Sequence, residues 1–138
     1  MRSLLLGWRG PLVWGLLILV LTLVPAPVVP SLGLLSRYHI DKVVHAFLFG
    51  VFFLFLYRAF HSSIGTARNE RYAMILSISG AVLYGALTEV LQEVSGGGRS
   101  GDLLDFLADA VGVFLATALL HWGAGTNTYL GKHLDRYF

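Results

Sequence analysis

The chain is 138 residues long, 56% hydrophobic and only 13% charged, with a mean hydropathy of +0.71. That balance excludes a soluble domain of this size, which needs far more polar surface, and predicts a single all-α integral membrane domain, because the apolar runs lie too close together to form separate units. Without cysteine there is no disulfide framework and no thiolate metal or redox site, and the basic residues behind the net charge of +2 are scattered at the ends of apolar runs, which argues against a nucleic-acid surface.

Four membrane spans are predicted. The first covers residues 11–29, preceded by Arg2 and Arg9. A cleaved signal peptide has the same basic start, but the apolar run is long for one and no small-x-small cleavage site follows, so a retained helix is expected. Pro25, Pro27 and Pro30 should end it, since proline lacks the amide donor and clashes with the preceding turn. The second span covers 43–60, entered through D-K-V-V-H-A-F. Its phenylalanines Phe47, Phe49, Phe52, Phe53 and Phe55 read as packing bulk, and Arg58 can snorkel to the interface. A polar loop from His61 to Arg71 leads to the third span, 72–94, which carries no charge until Glu89 and then presents Gln92 and Glu93. S-G-G-G-R-S-G has no propensity for regular structure and turns the chain. The fourth span, 102–122, holds Gly112 and Ala116 at the small-xxx-small spacing that lets helices approach closely in lipid. Residues 1–122 thus form one four-helix domain, and 123–138 a cytoplasmic tail.

Orientation follows from the basic residues. A cytoplasmic N-terminus places Arg2, Arg9, Arg58, Arg68, Arg71, Lys132 and Arg136 inside, against Arg37, Lys42 and Arg99 outside. Both termini are then cytoplasmic, and the polar motifs lie on the outer face.

Five of the eight acidic residues fall between Glu89 and Asp109. Charges in membrane spans are costly and usually face a bundle interior or a polar cavity. Helical spacing puts Asp41, Lys42 and His45 on one face of the second span, Glu89, Gln92 and Glu93 in a stripe on the third, and Asp102, Asp105 and Asp109 on one side of the fourth. At a rise of ~1.5 Å per residue, the three sets reach comparable depth. The expected pocket therefore comprises Asp41, Lys42, His45, Glu89, Gln92, Arg99, Asp102, Asp105 and Asp109.

Intramembrane charge is functional by default, so the favoured role is binding, with Lys42, Arg99 and the amides of the glycine-rich loop as donors to a polar or anionic headgroup of a lipid or cell-wall precursor. Catalysis ranks lower; its candidates are Glu89, Asp105 or Asp109 as general acid or base, with His45 as partner. A hydrogen-bonded network that only sets helix register and a proton-coupled transporter are the other readings. The catalytic reading leaves room for a divalent ion, since carboxylate-plus-His sets bind metals; the spacings match no motif with defined ligand roles, and no metal ligand or cofactor is assigned. His39, His61, His121 and His133 read as interfacial, Glu93 as a solvated rim charge, and Tyr84 and Thr88 as packing donors.

The ordered set of motifs resembles the VanZ-like family of small four-helix membrane proteins, named for a factor in teicoplanin resistance. The family pattern is D-K-x-x-H at the second helix, E-x-x-Q at the end of the third, an arginine in the loop, and D-x-x-x-[ND]-x-x-G opening the fourth. Asp41, Lys42 and His45, then Glu89 and Gln92, Arg99, and Asp105, Asp109 and Gly112 match it over residues 11–122, and Asp102 fits a frequently acidic position. Asp109 stands where asparagine is common, which adds a carboxylate. The resemblance implies a bacterial cell-membrane protein with an outward-facing site for a membrane lipid or lipid-linked cell-envelope precursor. It also implies a link to lipoglycopeptide access.

Overall fold

A computed structural model describes residues 2–23, 40–64, 70–95 and 102–125. The described chain is entirely helical: α1 is Arg2–Leu23, α2 Ile40–Ile64, α3 Glu70–Ser95 and α4 Leu103–Gly125. Helices α2, α3 and α4 are each long and apolar enough to cross a membrane. At ~1.5 Å per residue, the 25-residue α2 is about 37 Å long, more than a hydrocarbon core of roughly 30 Å. The apolar stretch of α1, Gly7–Leu23, is shorter.

Helix α1 starts well before the predicted position 11 and runs straight through Pro11. Proline inside a helix removes a backbone hydrogen bond and crowds the carbonyl one turn earlier, so packing must offset that cost. Trp8 meets Phe60 edge-on at 5.0 Å, and Gly10 lies so close to the Phe55 ring that a Cβ there would be 2.8 Å from it. Further along, Trp14 Nε1 donates to the Leu48 carbonyl at 2.9 Å and Tyr84 Oη to the Gly15 carbonyl at 2.7 Å. Aromatic side chains therefore fasten α1 to α2 and α3. The described helix ends at Leu23; the rest of the predicted first span, with Pro25, Pro27 and Pro30, lies outside the described residues.

The expected loop after the second span is mostly helix. His61–Ile64 continue α2, where the Ser62 and Ser63 hydroxyls donate back to the Ala59 carbonyl, and Glu70 and Arg71 already belong to α3. Likewise Gly123–Gly125 extend α4, while the remainder of the predicted tail lies outside the described residues.

The helices alternate in direction. The end of α1 meets the end of α3 through Gln92, and the start of α2 meets the start of α4 through Lys42. Helix α2 is central and packs on the other three, which is why it is apolar nearly all round. Phe49 and Phe53 are fully buried and Phe52 nearly so, so these three predicted packing residues do form core, together with Ile18, Leu56, Ala81 and Val113. The outward faces stay apolar: Leu12, Leu16, Leu83, Val111, Leu115 and Leu119 are all exposed. A water-facing protein rarely shows such contiguous apolar area.

Helices α2 and α4 approach most closely, at Gly112. A Cβ on Gly112 would overlap the Ala46 backbone, and one on Gly50 would lie 3.1 Å from the Gly112 carbonyl. In lipid, helix association relies on such packing rather than on the hydrophobic effect. This contact sets the spacing of the polar groups one and two turns above it.

Candidate functional site

The polar side chains gather in two layers at the end of the bundle where α2 and α4 begin and α3 finishes. The outer layer is centred on Lys42. Its ammonium donates to Asp102 Oδ2 at 2.7 Å and to Asp105 Oδ1, with Asp41 Oδ2 at 3.3 Å. Asp102 also starts α4: its Oδ1 accepts from the Leu104 amide at 2.9 Å, and its carbonyl accepts from the amides of Asp105 and Phe106. This is the N-cap arrangement, which satisfies amides that the first turn leaves without partners. Asp102 precedes the apolar span, and the hydrogen bond from Lys42 holds its carboxyl below the ordinary value.

One turn deeper lie His45, Glu89 and Asp109, one from each of three helices. His45 Nδ1 is 2.9 Å from Asp109 Oδ1. Asp109 is 1% exposed, and Gly85 on α3 makes room for it: a Cβ there would sit 3.1 Å from Asp109 Oδ2. Glu89 Oε2 accepts the Asp102 amide at 2.8 Å, which ties α3 to the first turn of α4. The second oxygen of each acid, Glu89 Oε1 and Asp109 Oδ2, is buried and accepts no hydrogen bond among the described residues. Unpaired buried carboxylate oxygens are uncommon, because each has lost its water without replacement. Each of the three side chains can offer one ligand atom, and those three atoms lie within 4.8 Å of one another.

Beside this cluster, α3 and α4 enclose a cleft of about 380 Å³, lined by Ala86, Glu89, Val90, Asp102, Leu103 and Phe106, with Glu93 at its edge. Val90 and Leu103, on its two sides, are largely exposed, so the cleft opens on the outer surface of the bundle. Its walls are mainly apolar, and the acidic residues along it are Glu89, Glu93 and Asp102.

Of the nine residues expected in one pocket, Lys42, His45, Glu89, Asp102, Asp105 and Asp109 come together, and Asp41 sits at their exposed rim. Gln92 does not join them. Its side chain is buried toward α1, where Nε2 donates to the Thr22 carbonyl at 2.9 Å. That carbonyl belongs to the last turn of α1 as described. Arg99 lies outside the described residues. Of the four catalytic candidates, Asp105 is held by Lys42, while His45, Glu89 and Asp109 belong to the inner layer. Tyr84 and Thr88 act as packing donors, to the Gly15 and Gly85 carbonyls.

Sequence reasoning missed Gly85 and Phe106. Gly85 stands one helical turn before Glu89, and that spacing was a usable signal. Nothing in the sequence distinguished Phe106 from the other large apolar residues of its span. No family model, curated protein or solved structure matches the chain.

Proposed function

We propose that this chain is a VanZ-like, multi-pass protein of the bacterial cell membrane whose polar end faces outward and holds the headgroup of a membrane lipid or lipid-linked cell-envelope precursor. In this reading α1 is the fourth span, and the excess of lysine and arginine at the opposite end keeps both termini in the cytoplasm.

The observation that carries the reading is the cleft between α3 and α4. It has apolar walls and carboxylates at Glu89 and Asp102, and it is open beside Val90 and Leu103. A recess of that polarity suits an amphiphile, with the acyl chain along the exposed apolar faces and the headgroup turned inward. A purely architectural network would be expected to pair its buried oxygens, whereas Glu89 Oε1 and Asp109 Oδ2 accept nothing among the described residues.

Charge selects the headgroup. Lys42 already faces three carboxylates, so it is not the donor to an anion that its sequence position suggested. The headgroup that fits is itself a donor: an ammonium, or the hydroxyls of a sugar. A lipoglycopeptide combines a lipid anchor with sugars, and competition for this cleft would link the protein to teicoplanin susceptibility.

Photo-crosslinking tests the proposal. A photoactivatable aminolipid incorporated with the protein should label peptides containing Val90, Leu103 and Phe106, and Ala86→Leu should reduce that labelling several-fold. Uniform labelling over all the helices, unchanged by Ala86→Leu, would overturn it.

A further inference from the structure

The inner layer holds two carboxylates and an imidazole around a small interior space, and each carboxylate has one buried oxygen with no partner among the described residues. Asp109 is almost wholly enclosed, at 1% exposure. The only cation near this end in the described residues, Lys42, is turned to Asp41, Asp102 and Asp105 in the outer layer. A carboxylate in a low-dielectric interior needs a proton, a hydrogen-bonded partner or a cation; His45 faces one oxygen of Asp109, which leaves Glu89 Oε1 and Asp109 Oδ2 turned to the interior space.

We infer that His45, Glu89 and Asp109 bind one divalent first-row transition-metal ion. Two carboxylates and a neutral imidazole balance a doubly charged ion. The mixture of one nitrogen and two oxygens suits zinc, manganese or iron better than calcium or magnesium, which favour all-oxygen shells.

The distances come near what an ion needs. Ligands at ~2.0–2.2 Å lie roughly 3.4 Å apart around a tetrahedral ion and about 3 Å apart at the right angles of an octahedral one. The His45 Nδ1 to Asp109 Oδ1 separation of 2.9 Å already matches adjacent ligands. The three ligand atoms lie within 4.8 Å of one another, so the wider pairs must close by up to roughly an ångström and a half, through side-chain rotation, when the ion binds. Supporting contacts are in place. Glu89 is oriented by the Asp102 amide through its other oxygen, as metal-binding carboxylates commonly are, and Gly85 leaves the volume that Asp109 Oδ2 needs. Three protein ligands leave further coordination positions, and Glu89 also lines the cleft, so a bound headgroup lies within reach of the ion.

This inference goes beyond headgroup binding and can fail independently of it, since metal content is measured with no lipid ligand added. The test uses the full chain in detergent, free of any affinity tag, stripped with chelator and titrated with zinc alone. The expected result is about one zinc per chain by elemental mass spectrometry. Glu89→Gln and Asp109→Asn should each weaken binding at least ~100-fold, whereas Glu70→Gln and His121→Asn, far from the cluster, should leave it unchanged. No stoichiometric zinc, or zinc retained equally by all four variants, would overturn the inference. Should a cluster variant misfold, X-ray absorption on the zinc-loaded wild type still decides. One imidazole among oxygen ligands supports the site, and an all-oxygen shell or several imidazoles refutes it.

Discussion

Gly112 is where the packing of α2 against α4 is least forgiving, and Gly112→Ala measures it. A Cβ at this position would lie 2.6 Å from the Ala46 carbonyl carbon and 2.7 Å from its Cα. Carbon atoms rest at ~3.5–4.0 Å, so the two helices must separate by about an ångström, and a gap of that size forfeits up to roughly half of each contact's attraction. Overpacking of this kind costs ~1–3 kcal/mol, and here the obstacle is backbone, which cannot rotate away. Alanine returns at most ~1 kcal/mol of helix propensity, so with strain toward the upper end of that range a net loss of about 1–2 kcal/mol is expected. Gly80→Ala is the matched control. Its Cβ would meet only Leu56 Cδ1, at 3.5 Å, so the propensity gain should remain and the variant should be neutral or up to ~1 kcal/mol more stable. Reversible unfolding of both variants in mixed micelles separates the two cases. Equal stability for Gly112→Ala and Gly80→Ala would refute the claim that a backbone contact sets the α2–α4 distance.

The other predictions concern hydrogen bonds and the rim. Tyr84→Phe and Gln92→Leu each remove one bond to an α1 carbonyl, so each should cost about 1 kcal/mol in the same assay. The double variant should loosen α1 from the bundle, seen as faster amide exchange in α1 with α2–α4 unchanged. Asp102→Ala should fray the first turn of α4, raising amide exchange at Leu104, whereas Asp102→Asn, which keeps an acceptor for that amide, should not. The Asp102 carboxyl should titrate below its ordinary value of 3.8, and Lys42→Gln should move the midpoint back up. With the native value lowered, the Lys42–Asp102 contribution is complete above the unfolded value and is lost as pH falls through the native one. Carboxyl carbon resonances report this directly, and a midpoint at or above 3.8 would contradict it.

The helices were legible because their signals are local. Long apolar runs broken by glycine and charge mark α2, α3 and α4, and the D-K-x-x-H and D-x-x-x-D spacings put Lys42, His45, Asp105 and Asp109 on facing stripes. The start of α1 was not legible, because Pro11 argues against a helix and only the Trp8–Phe60 and Gly10–Phe55 contacts overrule it. Gln92 misled for a related reason. Its spacing from Glu89 permits either of two neighbouring faces, and the deciding factor, the Thr22 carbonyl in the last turn of α1, belongs to another helix. The partners of Lys42 were likewise hidden. The sequence offers a cation, and only the fold reveals that three carboxylates already surround it.

The central claim is that the cleft between α3 and α4 holds one amphiphile whose headgroup donates to carboxylates. Native mass spectrometry of the protein released from detergent tests it most directly. The account predicts a single retained lipid bearing an amine or sugar headgroup, its occupancy lowered several-fold by Ala86→Leu and by Glu89→Gln. Protein that carries no lipid, or lipid retained equally by both variants, would contradict it.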